Sequence, residues 1–312
     1  QRRGNATVSV VTKYSDIAAT ITIDKTTTTT SLFDALGNAI DQISVLEVAA
    51  SPATLVQTQK RVIHNSVYSN RGDAGNQEVT TYLVDYPGGV RTETLMTYEL
   101  YTNRVFDVSH NITNQKVFTY DHSGGTLLDV KEIRAIGYHS SGVALQQIIA
   151  TYESAAATTP IEVKVVVNSS ITSQGNIGTT VVTRYSGATI ADDPAIPGVN
   201  DGAITYTGPI DRQTFTNLTF DSRGNALTQE LVRDAYTSGA WAFSEAQKMT
   251  NTYDVHDRST HSIIKNYKTG SMATGDFIDM QDVCYNSYDN FGNVLNQTID
   301  TYSTATVDPV SF

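Results

Sequence analysis

Tyr288-Asp289-Asn290-Phe291-Gly292-Asn293 has two close relatives in the same chain, Phe220-Asp221-Ser222-Arg223-Gly224-Asn225 and Phe33-Asp34-Ala35-Leu36-Gly37-Asn38. An Asp, two variable residues and a Gly form the pattern of a β-hairpin in which a type I turn ends in a residue of positive φ and a bulge. The Asp carboxylate is suited to accept backbone N–H bonds across the turn, and Gly takes the positive φ without a steric cost. Weaker copies begin at Tyr68, Phe106, Tyr138, Ile171 and Tyr253, so successive copies from Phe33 onward lie 35, 38, 32, 33, 49, 33 and 35 residues apart. Gly72, Gly142 and Gly175 hold the Gly place in three of them, and His110 and Asp257 hold it in two more. Asp107 and Asp254 repeat the turn Asp, with Ser69 and Thr172 as substitutes.

The residues that follow each turn repeat as well. Nine positions after the aromatic stands Gln42, Gln77, Gln115, Gln147, Gln229 or Gln297. Two further on comes an aliphatic (Val79, Val117, Ile149, Val182, Leu231, Ile264 or Ile299), and three beyond that Tyr82, Tyr120, Tyr152, Tyr185, Tyr267 or Tyr302. In a strand of period two, the Gln and the aliphatic share one face and the Tyr takes the other. Side-by-side copies would therefore align a hydrophobic seam, a Gln ladder and a set of stacking Tyr rings. Gly4, Asn5, Val11 and Tyr14 fit the same series as a ninth copy. Joining Phe312 to Gln1 of another molecule would restore the missing aromatic, so the chain is expected to be a segment of a longer array or to associate end to end. One hairpin cannot bury its apolar face alone, which makes contacts between repeats the expected source of stability.

The fold expectation is all-β: tandem β-hairpin repeats stacked as a β-solenoid or shell, with residues 1–312 forming one continuous array of about nine units. Met96-Thr97-Tyr98-Glu99-Leu100 alternates as a strand should, and Tyr86-Pro87-Gly88-Gly89 supplies a turn before it, so each unit is expected to hold two hairpins. No segment carries a sustained 3.6-residue apolar period, which leaves little room for helix. The 49-residue spacing marks a loop insertion at 187–209, a stretch rich in Gly and Pro. Lys25 to Ser31, with five consecutive Thr, is either an exposed strand or a flexible, O-glycosylated segment.

The Tyr/Phe-Asp-x-x-Gly-Asn phrase with a downstream Tyr resembles the YD repeats of the RHS-repeat family, which includes bacterial toxin-encapsulating shells and animal cell-surface teneurins. The likeness covers nearly the whole chain, and Phe33 to Asn38, Phe220 to Asn225 and Tyr288 to Asn293 carry it best. It implies strands spiralling into a hollow β shell within large, secreted or surface-exposed proteins. Many family repeats are shorter and carry Arg or a small polar residue after the Gly, whereas the clear copies here carry Asn and a Gln-bearing strand. No stretch matches the family's self-cleaving core or a variable C-terminal toxin.

Composition narrows the partners. Charged residues are 17% of the chain, and the formal net charge of −11 with scattered Lys and Arg argues against nucleic acid. Cys284 is the sole cysteine, which rules out an intrachain disulfide and multi-Cys metal sites. No apolar run reaches the roughly 20 residues of a spanning helix. The chain has no signal-like apolar start and no initiator Met, which suggests processing.

Arg71-Gly72-Asp73 spells an integrin tripeptide but sits at the repeat turn, where Arg3-Gly4-Asn5 and Arg223-Gly224-Asn225 also sit, so it is read as a turn. The six histidines are dispersed, with His110, His139 and His256 at separate turns, and the Asp line lacks the several oxygen ligands of a Ca²⁺ loop. No cofactor or metal is expected. Asn5, Asn111, Asn168, Asn217 and Asn296 begin N-glycosylation sequons, which makes glycans candidate partners. No nucleophile, base and orienting group stand out from the repeat, so catalysis is not expected. The leading expectation is an extracellular or cell-surface scaffold that assembles into a filament, tube or surface layer. The alternatives are a carbohydrate-binding or adhesive module, and part of a toxin-enclosing shell.

Overall fold

The computed structural model describes residues 5–15, 21–51, 54–192, 202–289 and 292–304. Gly4, Pro194, Pro197 and Gly198 lie outside them. The protein is all-β: seventeen strands among the described residues, with two three-residue 3₁₀ turns at Pro87–Gly89 and Thr274–Asp276.

The chain divides into two compact units, Gln1–Arg134 with Thr151–Thr158 and Ile190–Ala203, and Ala135–Ala150 with Thr159–Thr189 and Ile204–Phe312. The first contains β1 (Val8–Tyr14), β2 (Thr22–Phe33), β3 (Ala39–Ser51), β4 (Thr54–Tyr68), β5 (Ala74–Asp85), β6 (Thr92–Phe106), β7 (Ile112–Tyr120) and the start of β8 (Leu127–Tyr138). Each pairs antiparallel with the next. The second contains most of β9 (Ala144–Tyr152), then β10 (Glu162–Ile171), most of β11 (Ile177–Ile190), β12 (Ile204–Phe220), β13 (Ala226–Thr237), β14 (Ala240–Tyr253), β15 (Ser259–Tyr267), β16 (Phe277–Tyr288) and β17 (Val294–Tyr302). Here β10 pairs with β11, and β12 to β17 form an unbroken antiparallel series.

One repeat is two strands rather than two hairpins: a strand enters the motif turn, a strand leaves it, and a variable turn leads to the next pair. A tight variable turn is Ser238-Gly239, where both residues have positive φ (52° and 83°) and Thr237 faces Ala240. That is the two-residue type I′ loop favoured by strand twist.

Period-two burial drives the pairing. On β9, Ala144, Ile148, Ala150 and Tyr152 are buried while most of the residues between them are not. Val79, Val84, Val117 and Val130 supply the same function in the first unit, and Val163, Val165, Leu231, Met280 and Val283 in the second. The first and last strands differ from the rest. Val8, Val10 and Val11 on β1 are exposed, and on β17 every residue but Tyr302 is exposed.

Of the two readings of the Thr-rich stretch, the strand is the one realised, because β2 lies between two neighbours, with Thr26 opposite Val11 on β1 and Leu46 on β3. The expected 187–209 loop is narrower. β11 runs to Ile190 and β12 starts at Ile204, so the Gly and Pro residues at 187, 208 and 209 lie in strands. Gly208, at φ 67°, sits where a Cβ would fall 2.2 Å from Ser186 Oγ, so close strand approach rather than chain reversal accounts for the glycine.

Candidate functional site: stacked turns and cross-strand clamps

Eight motif turns share one hydrogen-bond pattern. In each, the N–H three residues into the turn donates back to the first carbonyl, as from Gly37 to Asp34 and Gly224 to Asp221, and the first N–H donates to the carbonyl four residues on. His110 and Asp257 take the glycine's place at φ 65° and 60°. This is the type I turn with a bulge that the spacing predicts.

The turn carboxylate does more than bridge the backbone. Asp107 Oδ1 accepts from the N–H groups of Ser109 (2.8 Å) and Asn111 (2.9 Å), and Oδ2 accepts from Asn111 Nδ2 (2.9 Å). Asp34 and Asp221 repeat the arrangement with Asn38 and Asn225, and Asp289 bonds the N–H and Nδ2 of Asn293. Arg258 replaces the Asn opposite Asp254 (Nε to Oδ2, 2.8 Å). The Asn after the glycine therefore belongs to the motif because it satisfies the second carboxylate oxygen. These bonds hold carboxyls below their usual range: the Asn38 backbone N–H is the largest cause for Asp34, and the Asn111 side chain for Asp107. At Asp221 burial pushes the other way, but the bonds from Asn225 and Arg223 outweigh it. Ser69 Oγ accepts from the N–H of Arg71 and Asp73, and Thr172 Oγ1 from that of Asn176, as the substitutions in sequence require.

Successive turns touch through two positions. A Cβ on Gly37 would lie 2.9 Å from Asn5 Oδ1, one on Gly72 3.0 Å from Asn38 Oδ1, and one on Gly224 2.9 Å from Asn176 Oδ1. In these three pairs the motif Asn lies against the glycine of the following turn, whereas a Cβ on Gly142 or Gly292 would meet nothing within 4 Å. Where that residue is not glycine, the contact becomes polar: Asp73 Oδ1 meets His110 Nδ1 at 2.5 Å, and Asn225 Nδ2 donates to Asp257 Oδ1 at 2.7 Å. Arg71-Gly72-Asp73 is accordingly a structural turn, with Arg71 also donating to the Asp107 carbonyl (2.7 Å).

A second set of contacts clamps repeat to repeat inside the strands. Asn65 Nδ2 donates to the Ala39 carbonyl (3.0 Å), Asn168 to Ala144 (3.0 Å), Asn217 to Ile177 (2.8 Å) and Asn251 to Ala226 (3.3 Å). The acceptor is always six positions after the first motif residue of the preceding repeat (Phe33, Tyr138, Ile171 or Phe220). The motif Tyr hydroxyl reaches the same kind of carbonyl: Tyr253 donates to Ala226 (2.9 Å), Tyr68 to Ala39 and Tyr288 to Ser259. This explains why the aromatic is so often Tyr.

The Gln positions join this system. Gln42 Nε2 donates to Thr30 Oγ1 (3.2 Å), Asn65 Nδ2 to Gln42 Oε1 (3.2 Å) and Gln77 Nε2 to Asn65 Oδ1 (2.7 Å). Equivalent positions in adjacent repeats are two strands, roughly 9.5 Å, apart. The amides therefore connect through an Asn on the intervening strand. Gln229 Nε2 likewise donates to Asn217 Oδ1 (2.5 Å). A bulge between Thr102 and Val105 breaks the series at β6, and Gln115 Oε1 is buried without a partner. Gln297 is exposed on β17. The Tyr rings obey the same spacing. Tyr120 meets Tyr98 (6.0 Å), Tyr185 meets Tyr206 (4.4 Å), Tyr267 meets Phe277 (6.1 Å), and Tyr82 and Tyr152 lie beneath Lys60 and Lys116.

The sequons fall in unlike places. Asn5 and Asn296 are exposed, Asn111 bonds its turn Asp, and Asn168 and Asn217 spend their amide nitrogens on inter-repeat clamps. Two polar features have no signal in the repeat. Glu132, 2% exposed, bonds Arg134 (3.2 Å) and Lys116 (3.3 Å). An open cleft of about 420 Å³ is lined by Lys164, Arg184, Arg233, Asp211, Val182 and Gln213, with Arg184 Nε held 2.8 Å from Asp211 Oδ1.

No family model matches the chain, and no curated protein matches it. Among solved structures it is similar to the crystal structure of TcdB2-TccC3, at 15% identity and a TM-score of 0.18. The alignment covers 95% of this chain and 18% of that one, so the chain spans less than a fifth of that protein's length.

Proposed function

We propose that this protein is an extracellular, non-enzymatic scaffold whose repeats add end to end into a solenoid-like filament, tube or surface layer. The observation that carries the reading is the pair of terminal strands. β1 exposes Val8, Val10, Val11 and Tyr14, and β17 exposes Val294, Leu295 and Ile299, whereas Val79, Val117 and Leu231, at the repeat position of Val11 and Ile299, and Tyr152, at that of Tyr14, are buried on interior strands. Further support comes from the side chains conserved between repeats, which go to turn geometry and inter-repeat clamps rather than to a convergent reactive centre. The partner is another repeat, supplied by a second copy of this chain.

Sedimentation velocity over a concentration series, with electron microscopy of the same samples, tests the reading. Concentration-dependent growth along one axis is expected, and Val11→Lys or Ile299→Lys should abolish it. A monodisperse monomer at every concentration would overturn it.

The carbohydrate-binding alternative draws on one feature, the open cleft lined by Lys164, Arg184 and Arg233, whose charges are paired with Glu162, Asp211 and Glu245. Such a set of paired polar groups suits the hydroxyls of a glycan, and glycan-array binding lost in Arg233→Ala would favour this alternative. The toxin-shell reading rests on the resemblance of the turn motif to YD repeats.

A further inference from the structure

We propose that His261, Asp282 and Cys284 form a binding site for a thiophilic divalent cation, Zn²⁺ being the best fit. The three come from adjacent strands in register. His261 on β15 stands directly opposite Cys284 on β16, and Asp282, two residues before Cys284, points to the same face. One donor atom from each lies within 4.8 Å of the other two, and all three side chains are half-buried. His261 Nε2 is 2.6 Å from Asp282 Oδ1.

A tetrahedral Zn²⁺ with bonds of about 2.0–2.3 Å holds its ligand atoms roughly 3.3–3.8 Å apart. The trio is within about 1 Å of that spacing, and small rotations of the imidazole and carboxylate open room between them. A mixed thiolate, imidazole and carboxylate set disfavours Ca²⁺ and Mg²⁺, which take oxygen ligands, and favours a borderline ion. Charge is balanced: one thiolate and one carboxylate neutralise the cation. Binding releases the Cys284 thiol proton to solvent, and the imidazole proton passes from Nε2 to Nδ1 so that Nε2 can coordinate. The fourth position is left to water. On β17, Asp300 lies opposite Asp282 and Thr298 opposite Cys284, on the same face, so a further carboxylate stands beside the open side.

The cation would brace β15 to β16. The full chain, reduced and freed of metal by a chelator, would be titrated with Co²⁺ and then with Zn²⁺ in competition with a chromophoric chelator. One equivalent should bind, with a thiolate-to-cobalt charge-transfer band and the strong visible absorption of a four-coordinate ion, and Zn²⁺ should displace it. Loss of a partner outside the coordination shell costs 10–100-fold in affinity, so His261→Gln should weaken Zn²⁺ binding by more than about 100-fold. Cys284→Ser should remove the charge-transfer band. Because Cys284 is the only thiol, its alkylation in the unmutated protein gives a reading that needs no variant: Zn²⁺ should slow it. An unchanged alkylation rate, or equal Zn²⁺ affinity in the unmutated protein and a natively folded Cys284→Ser variant, would overturn the proposal and leave an ordinary hydrogen-bonded His–Asp pair beside a half-buried thiol.

Discussion

Asn65→Ala tests whether the inter-repeat clamps hold the array together. The Asn65 amide, 7% exposed, donates to the Ala39 carbonyl and to Gln42 Oε1 and accepts from Gln77 Nε2. Three net hydrogen bonds at about 1 kcal/mol each, with two half-buried amides left short of a partner, put the loss at about 3–4 kcal/mol. Tyr68→Phe alone should cost about 1 kcal/mol, because the Ala39 carbonyl keeps Asn65. The double variant leaves that carbonyl with neither side-chain donor, so its cost should exceed the sum by about 1 kcal/mol or more. Native-state hydrogen exchange across β3, β4 and β5, with circular dichroism to confirm the fold, reads the effect locally, which suits an array whose repeats open independently. If Asn65→Ala changes protection by less than about 0.5 kcal/mol, or the two changes add without coupling, the clamp is not a source of stability.

Gly224→Ala should be more destabilising than Gly142→Ala in urea unfolding. Both residues have positive φ (98° and 86°), but a new Cβ at Gly224 meets Asn176 while one at Gly142 meets nothing, and equal costs would argue against turn stacking. Glu132→Ala should cost about 3–5 kcal/mol, because it strips the carboxylate from Arg134 and Lys116 in a buried setting; a melting temperature unchanged from the parent would refute this. Asp34, Asp73, Asp107, Asp221 and Asp254 all have folded pKa values below the ordinary 3.8. Their stabilisation is present above about pH 4 and lost as pH falls through the lowered folded values, so turn amides should lose exchange protection there first. At the alkaline end, burial pushes Tyr98 and Tyr152 up to about 12. Stability should stay level up to the ordinary tyrosine value near 10 and fall between there and 12, and a flat profile checked by phenolate absorbance would refute it.

The motif turns were legible because they are local. Four or five consecutive residues set the type I geometry, and Asp, Gly and their substitutes each carry a backbone preference that acts within the turn. The strand after each turn was legible for a similar reason, since period-two alternation places its Gln, aliphatic and Tyr without reference to a neighbour. The Asn clamps were visible but unread: Asn65, Asn168 and Asn217 each stand three residues before the first motif position (Tyr68, Ile171 and Phe220), while Asn251 stands two before Tyr253, a regularity weaker than that of the Gln. Two of them were read as glycosylation acceptors, because a sequon is a local signal and a buried carbonyl in another repeat is not.

The stretch at 187–209 shows the opposite error. Gly187, Gly208 and Pro209 are loop-forming residues by composition, yet they lie in strands, where Gly208 combines a positive φ with room for the Ser186 hydroxyl of the neighbouring strand. Only a neighbouring strand reveals that use.

The amino-acid sequence alone determined the all-β class, the repeat, the turn type and the polarity of the strand faces, because each depends on φ/ψ preferences and periodicities within a few residues. Tertiary structure decided what those faces meet. The intervening strand turned a Gln ladder into a Gln–Asn relay, the register of β15 on β16 set His261, Asp282 and Cys284 together, and Glu132 acquired Lys116 and Arg134. Register is a non-local property: moving a strand by one residue sends every side chain to the other face, and no single strand encodes which residue will stand opposite it.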